Sequence, residues 1–122
     1  MRTLGAVVAV YKISSAAAWN EAMAVGVYAG SVDDHRDGYI HLSAIDQVAG
    51  TAAKFFAGQS DLLLIAFATA SLGASLRWEP SRGGQLFPHV YGTLDPAAAL
   101  WTSPLPLGDD GRHVLPAALA AR

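Results

Sequence analysis

The chain has 122 residues, enough for one domain with a buried core, since domains most often hold about 100–150 residues. Apolar residues make up 52% and charged residues 15%, against a usual charged share of about 25%, which excludes a disordered chain. A net charge of −2 argues against a nucleic-acid partner, and the absence of cysteine excludes disulfides, thiolate nucleophiles and cysteine-based zinc sites.

The apolar run Leu4–Val10 leads straight into Tyr11 and Lys12 without the cleavage pattern of a signal peptide, and no run approaches the ~20 apolar residues of a membrane span. A soluble cytoplasmic protein without a membrane partner is the expectation. Val7, Val8, Val10 and Ile13, with Tyr11 between, read as a first strand. Ser14 or Ser15 can then cap a helix running to Val25, with Trp19, Ala22 and Met23 on one face and Gly26 as a left-handed C-cap. Val27–Gly30 reads as a short extended piece. Ser31–Gly38 reads as a solvated polar loop closed by Asp-Gly; its Asp33, Asp34 and Asp37 match no calcium-loop spacing.

Tyr39–Ser43 alternates like a strand, and Ser43 looks like the cap of the next helix, with Asp46 three residues on. That helix would bury Ile45, Val48, Ala52, Phe55 and Phe56 and end at Gly58. Leu62–Phe67 is a continuous apolar run of strand length, as in the middle of a sheet. A turn at Ser71–Gly73 precedes a strand over Leu76–Glu79, and the Gly83-Gly84 turn leads to Phe87, Val90 and Tyr91. Pro88 argues for a sheet edge or loop there. Asp95-Pro96 opens a helical turn, and Leu100–Leu105 reads as a last strand. The pattern predicts a single α+β domain over residues 1–122, mostly antiparallel or mixed, with a core over about 7–105 and a peripheral tail over 106–122.

Groups capable of chemistry gather between Leu76 and Gly92, a stretch holding Arg77, Trp78, Glu79, Arg82, His89 and Tyr91 around Gly83-Gly84. His41 lies on a predicted strand between Ile40 and Leu42. It reads either as an imidazole facing a cleft or as a core-edge histidine bonded to a backbone carbonyl. Ser43 shares its face, and a helix starting there would favour an anion. Arg82 beside two glycines suits phosphate, or is a surface arginine at a hairpin. Glu79 is either a base or orienting carboxylate, or the ion-pair partner of Arg77 or Arg82. His89 and Tyr91 share a face if extended and can form a ligand wall. Trp78 and Trp101 read as core. No metal is expected, because His41, His89 and a carboxylate have no local ligand spacing.

Several segments together resemble one family: Tyr11-Lys12-Ile13; Trp19 with Gly26–Ser31; Asp37-Gly38-Tyr39-Ile40-His41-Leu42-Ser43; Thr51–Gly58; and Arg77–Gly84 with Phe87–Gly92. The chain, from Tyr11 to Leu105, resembles the small bacterial proteins grouped as domain of unknown function 952. That resemblance implies an ADP-ribosyltransferase-like split, mostly antiparallel sheet with two main helices. It further implies a binder of NAD or a related phosphorylated nucleotide, with ADP-ribosyltransferase-like or 2′-phosphotransferase-like chemistry. His41 and Ser43 would then hold ribose, His89 or Tyr91, with Trp78 nearby, would meet the base, and Arg77 and Arg82 would neutralise phosphate. Active transferases of the group place a catalytic glutamate last, whereas Glu79 precedes His89. The alternative is a non-enzymatic module that binds a small ligand or a protein partner.

Overall fold

The structure is a computed structural model that describes residues 8–120, the side chains of Arg82 and Ala120 excepted. Val7, expected in the first strand, lies outside the described residues. The architecture is α+β, built on two antiparallel three-stranded sheets.

The first sheet has the order β1 (Ala9–Ser15), β3 (Leu62–Ala68) and β6 (Ala99–Pro104). β3 is central and covered on both faces, which is why its sequence is uninterrupted by polar residues. On one face Val10, Ile65 and Phe67 pack with Trp19, with Ile40 and Val90 of the second sheet, and with Leu42 just beyond it. On the other, Tyr11, Ile13, Leu64 and Ala66 pack with Val48 and Ala52. Leu64, Ile65 and Phe67 are fully buried. Each such side chain is worth about 1.5–3 kcal/mol in burial, so β3 is the anchor of the fold. Leu119, from the short helix Ala117–Ala120 within the tail, joins the second cluster.

Helix α1 (Ala16–Val25) follows β1 directly. Ser15 Oγ accepts from Ala18 N–H, and Gly26, at φ 93°, closes the helix, as the sequence predicts. Trp19 and Ala22 face the core, but Met23 is 59% exposed, so the buried stripe is narrower than expected.

Ser31–Gly38 is not a loop. It holds a helix, α2 (Val32–Asp37), closed at both ends. Ser31 Oγ accepts from Asp34 N–H while Asp34 Oδ2 accepts from Ser31 N–H, and Gly38 takes the left-handed C-cap. Gly30 just before it has φ +112°, and a Cβ there would sit 2.9 Å from Asp34 Cβ, so only glycine fits.

The second sheet has the order β2 (Ile40–His41), β5 (Leu86–Val90) and β4 (Leu76–Pro80). Pro88 therefore lies in a central strand, contrary to the edge position expected. The reason is that β2 is only two residues long. Pro88 O still accepts from Leu42 N–H at 3.0 Å. The missing Pro88 N–H falls on the same flank, beyond the end of β2, and removes one bond from the ladder there.

Ser43 does not cap a helix. Its backbone exchanges two hydrogen bonds with Tyr11, each 2.8 Å, and so joins the two sheets. A 3-10 turn over Ile45–Gln47 intervenes before α3 (Val48–Phe55), and Gln47 Oε1 takes the Ala44 N–H instead. α3 ends at Phe55, before Gly58, and Phe55 is 51% exposed rather than core. A short helix, α4 (Thr69–Leu72), replaces the turn expected at Ser71–Gly73. No helix among the described residues is long and apolar enough to cross a membrane.

Candidate functional site

Residues directly opposite on paired strands share a face of the sheet. Ile40 pairs with Val90 and Leu76 with Val90, and these face the core. His41 pairs with His89 and Arg77 with His89, so the opposite face of the second sheet carries His41, His89, Arg77 and Glu79. Three of the four residues expected to bear on catalysis or ribose, His41, His89 and Ser43, line one cleft of about 220 Å³ where the two sheets meet. Lys12 of β1, Asp34 and Asp37 of α2, Thr51 and Phe55 of α3, Ser81 and Phe87 complete its walls, with Tyr39 at its mouth.

Asp34 is the hub on one side. It is 3% exposed, and its two oxygens accept four bonds. Oδ2 takes Lys12 Nζ at 2.8 Å and Ser31 N–H at 2.9 Å. Oδ1 takes His41 N–H at 3.0 Å and His41 Nδ1 at 2.6 Å. Burial alone would raise this carboxyl, but the His41 and Lys12 bonds and the Lys12 charge outweigh it and hold Asp34 well below the usual carboxylate range. Burial pushes the Lys12 ammonium down from the ordinary lysine value, against the pull of Asp34. Lys12 Nζ also donates to the His41 carbonyl at 3.0 Å.

His41 is thus held through backbone and ring. Its Nε2 meets Asp37 Oδ2 at 2.9 Å. Carboxylates only accept, so the 2.6 Å contact with Asp34 is a bond donated by Nδ1. The ring lies between two carboxylates and is bonded to Asp34, not to the backbone carbonyl considered from sequence. Asp37 in turn is gripped by both Nε and Nη2 of Arg36, at 2.8 and 3.1 Å, and these bonds hold its carboxyl below the usual range.

The second sheet supplies the other half. His89, 2% exposed, donates from Nδ1 to Glu79 Oε1 at 2.7 Å. Tyr91 Oη donates to both Glu79 oxygens, at 2.8 and 3.1 Å. The His89 and Tyr91 bonds lower the Glu79 carboxyl, and the Glu79 bond raises the Tyr91 phenol. Tyr39 stacks on His89 with ring centres 4.0 Å apart and leans on His41 at 4.7 Å.

Among the described side chains, Glu79 is bonded to His89 and Tyr91 rather than to Arg77, and the alternative pairing with Arg82 lies outside the described residues. The Arg77 guanidinium lies over the Tyr91 ring, 4.6 Å from its centre, and acts on Glu79 through its charge. Trp78, expected in the core, is 44% exposed on the reverse face of β4, where it pairs with Pro88, and it does not line the cleft. The Arg82 side chain lies outside the described residues. Ser43 reaches the cleft through Oγ, 3.0 Å from Thr51 Oγ1, so no helix N-terminus stands at Ser43 to attract an anion. Sequence reasoning missed Lys12, Asp34, Asp37 and Tyr39. A lone lysine between Tyr11 and Ile13 on an apolar strand, and the Ser31-x-x-Asp34 capping spacing, were the available signals. No group of three or more histidine or acidic side chains among the described residues is arranged to hold a metal ion.

Residues 13–102 match the model of the family described as protein of unknown function (DUF952). The chain belongs to this family. It is also similar to protein CC0527 from Caulobacter crescentus. The crystal structure of that protein is 46% identical, with a TM-score of 0.87 over 92% of this chain and 98% of that one. Its solution NMR structure is 45% identical, with a TM-score of 0.82 over 93% of this chain and 98% of that one. No curated protein matches the chain.

Proposed function

We propose that the cleft binds NAD or a related phosphorylated nucleotide, ribose end first, and supports ADP-ribosyltransferase-like or 2′-phosphotransferase-like chemistry. The observation that carries this reading is the pinned imidazole of His41. It stands two residues from Ser43 on one face, at the seam of two antiparallel sheets, beside the aromatic stack of Tyr39 and His89. An ADP-ribosyltransferase-like split sheet presents a ribose to such a seam. Typical ligand pockets hold about 300–1,000 Å³, so a cleft of about 220 Å³ seats a riboside rather than a whole dinucleotide.

Among the described side chains, the cations lining the cleft, Lys12 and Arg36, are tied into ion pairs with Asp34, Asp33 and Asp37. These paired groups favour a ligand's hydroxyls over its phosphate. Phosphates would extend outward past Ser81, the cleft residue that Arg82 follows in the chain.

Ligand-observed NMR and calorimetry with NAD, ADP-ribose and a 2′-phosphorylated nucleotide test the reading. Binding of at least one is expected, abolished in His41→Ala with the fold intact. Absence of binding to folded protein at millimolar ligand refutes it. Binding without any consumption of NAD assigns the cleft to a ligand-sensing module instead.

A further inference from the structure

We propose that Glu79 and His89 form an acid–base couple opening into the cleft, in which His89 Nε2 removes the proton of a hydroxyl or water held there and Glu79 positions the ring. Glu79 only accepts, so the 2.7 Å contact places a proton of His89 on Nδ1, and in the neutral ring Nε2 then carries the lone pair. Trp19 Nε1 is the sealed, unpartnered side-chain nitrogen among the described residues. His89 Nε2, also without a partner there, is not sealed, and its ring lines the cleft. Tyr39 stacked at 4.0 Å and the His41 ring, 5.6 Å away edge-on, pack against the imidazole. Tyr91 fixes both Glu79 oxygens, and Arg77 covers Tyr91. A base oriented by a carboxylate on its far nitrogen, with the near nitrogen free, is the arrangement that proton abstraction requires.

The transfer step rests on the nucleotide reading; the protonation of the ring does not. On that reading the hydroxyl O–H breaks as Nε2–H forms, and the oxygen bonds to ribose C1′. The C1′–N bond breaks with its electron pair returning to the leaving nicotinamide nitrogen, and Nε2 later gives its proton to water.

Nitrogen-15 NMR of the imidazoles in the free protein at neutral pH tests the couple without any ligand. His89 is expected to show a protonated Nδ1 and a bare Nε2, a preference lost in Glu79→Ala and kept in Tyr91→Phe, with the His41 pattern unchanged. A proton on Nε2 of the wild-type ring overturns the couple, and an unchanged ring in folded Glu79→Ala overturns the role of Glu79. Adding ADP-ribose should then move the Nε2 resonance. A response at His41 with none at His89 Nε2 overturns the couple. No response at either ring overturns the nucleotide reading, while the couple still stands or falls on the protonation of His89 in the free protein. Where NAD is consumed, His89→Gln should slow nicotinamide release by ~10²–10⁴-fold; an undiminished rate overturns the couple.

Discussion

Asparagine in place of Asp34 keeps the size of the side chain and removes the charge toward which four donors point. The carboxylate accepts from Lys12 Nζ, Ser31 N–H, His41 N–H and His41 Nδ1. An amide offers one acceptor oxygen, and its NH₂ would face the two donors on the other side. Lys12, with 6% of its side chain exposed, would be left as a buried ammonium without a counter-charge. Removing one partner of a buried ion pair costs about 3–5 kcal/mol. At ~0.05–0.15 kcal/mol per residue, 122 residues have ~6–18 kcal/mol in total. Asp34→Asn is therefore expected to lose about a sixth or more of the stability, a fall in Tm of ~10–20 °C. Urea and thermal unfolding followed by circular dichroism measure this. A variant within ~1 kcal/mol of wild type refutes the hub role.

The same carboxyl has a pH signature. Its folded pKa lies below the unfolded value of ~3.9, so in acid the unfolded chain binds more protons. Its contribution is full above that value and lost as pH falls through it toward the folded pKa. The stability gap between wild type and Asp34→Asn should narrow as pH drops below ~4. A gap that stays constant from neutral pH into that range contradicts the assignment.

Gly30→Ala should destabilise the protein by ~1–3 kcal/mol, because φ +112° strains any side chain and the new Cβ meets Asp34 Cβ at 2.9 Å; urea titration measures the loss, and a stabilised variant contradicts the close approach. Leu119→Ala should cost ~2–5 kcal/mol, since Leu119 is 6% exposed among Tyr11, Leu64 and Leu105. An unchanged urea midpoint would mean that the tail contributes nothing to the core.

The parts of the fold that local chemistry dictates are legible in the sequence. Ser15 and Gly26 mark both ends of α1, the apolar run of β3 announces burial on two faces, and Asp95-Pro96 marks a helical turn. α2 escapes because it has no apolar stripe to show periodicity; it stands on a capping box and on an ion pair with Lys12, 22 residues away. No spacing rule anticipates that partner. His41, Ser43 and His89 come together at the cleft with Glu79 bonded to His89, but their partners differ from those that the sequence suggests. Glu79 turns to His89 because antiparallel pairing sets Glu79 opposite Phe87, next to His89 on the same face, while stacking on Tyr91 removes Arg77. Ser43 fails as a cap because its backbone is spent on the bridge to Tyr11.

A buried lysine–aspartate pair is seldom the most stable filling for a core, since apolar side chains of similar volume often serve as well or better. Its presence here is better explained by what Asp34 does for His41 than by what Lys12 does for Asp34. Lys12→Met separates the two roles. Met replaces the lysine stem and removes the ammonium, but Asp34 keeps three of its four donors, including both from His41. The loss should be ~1–3 kcal/mol, smaller than for Asp34→Asn, and the tethered imidazole should stay in place. ADP-ribose affinity is then expected to survive Lys12→Met and to fall at least tenfold in Asp34→Asn, both compared at a temperature where each variant is fully folded. If affinity instead falls in both variants in step with their lost stability, Asp34 holds the fold alone and does not position His41 for a ligand.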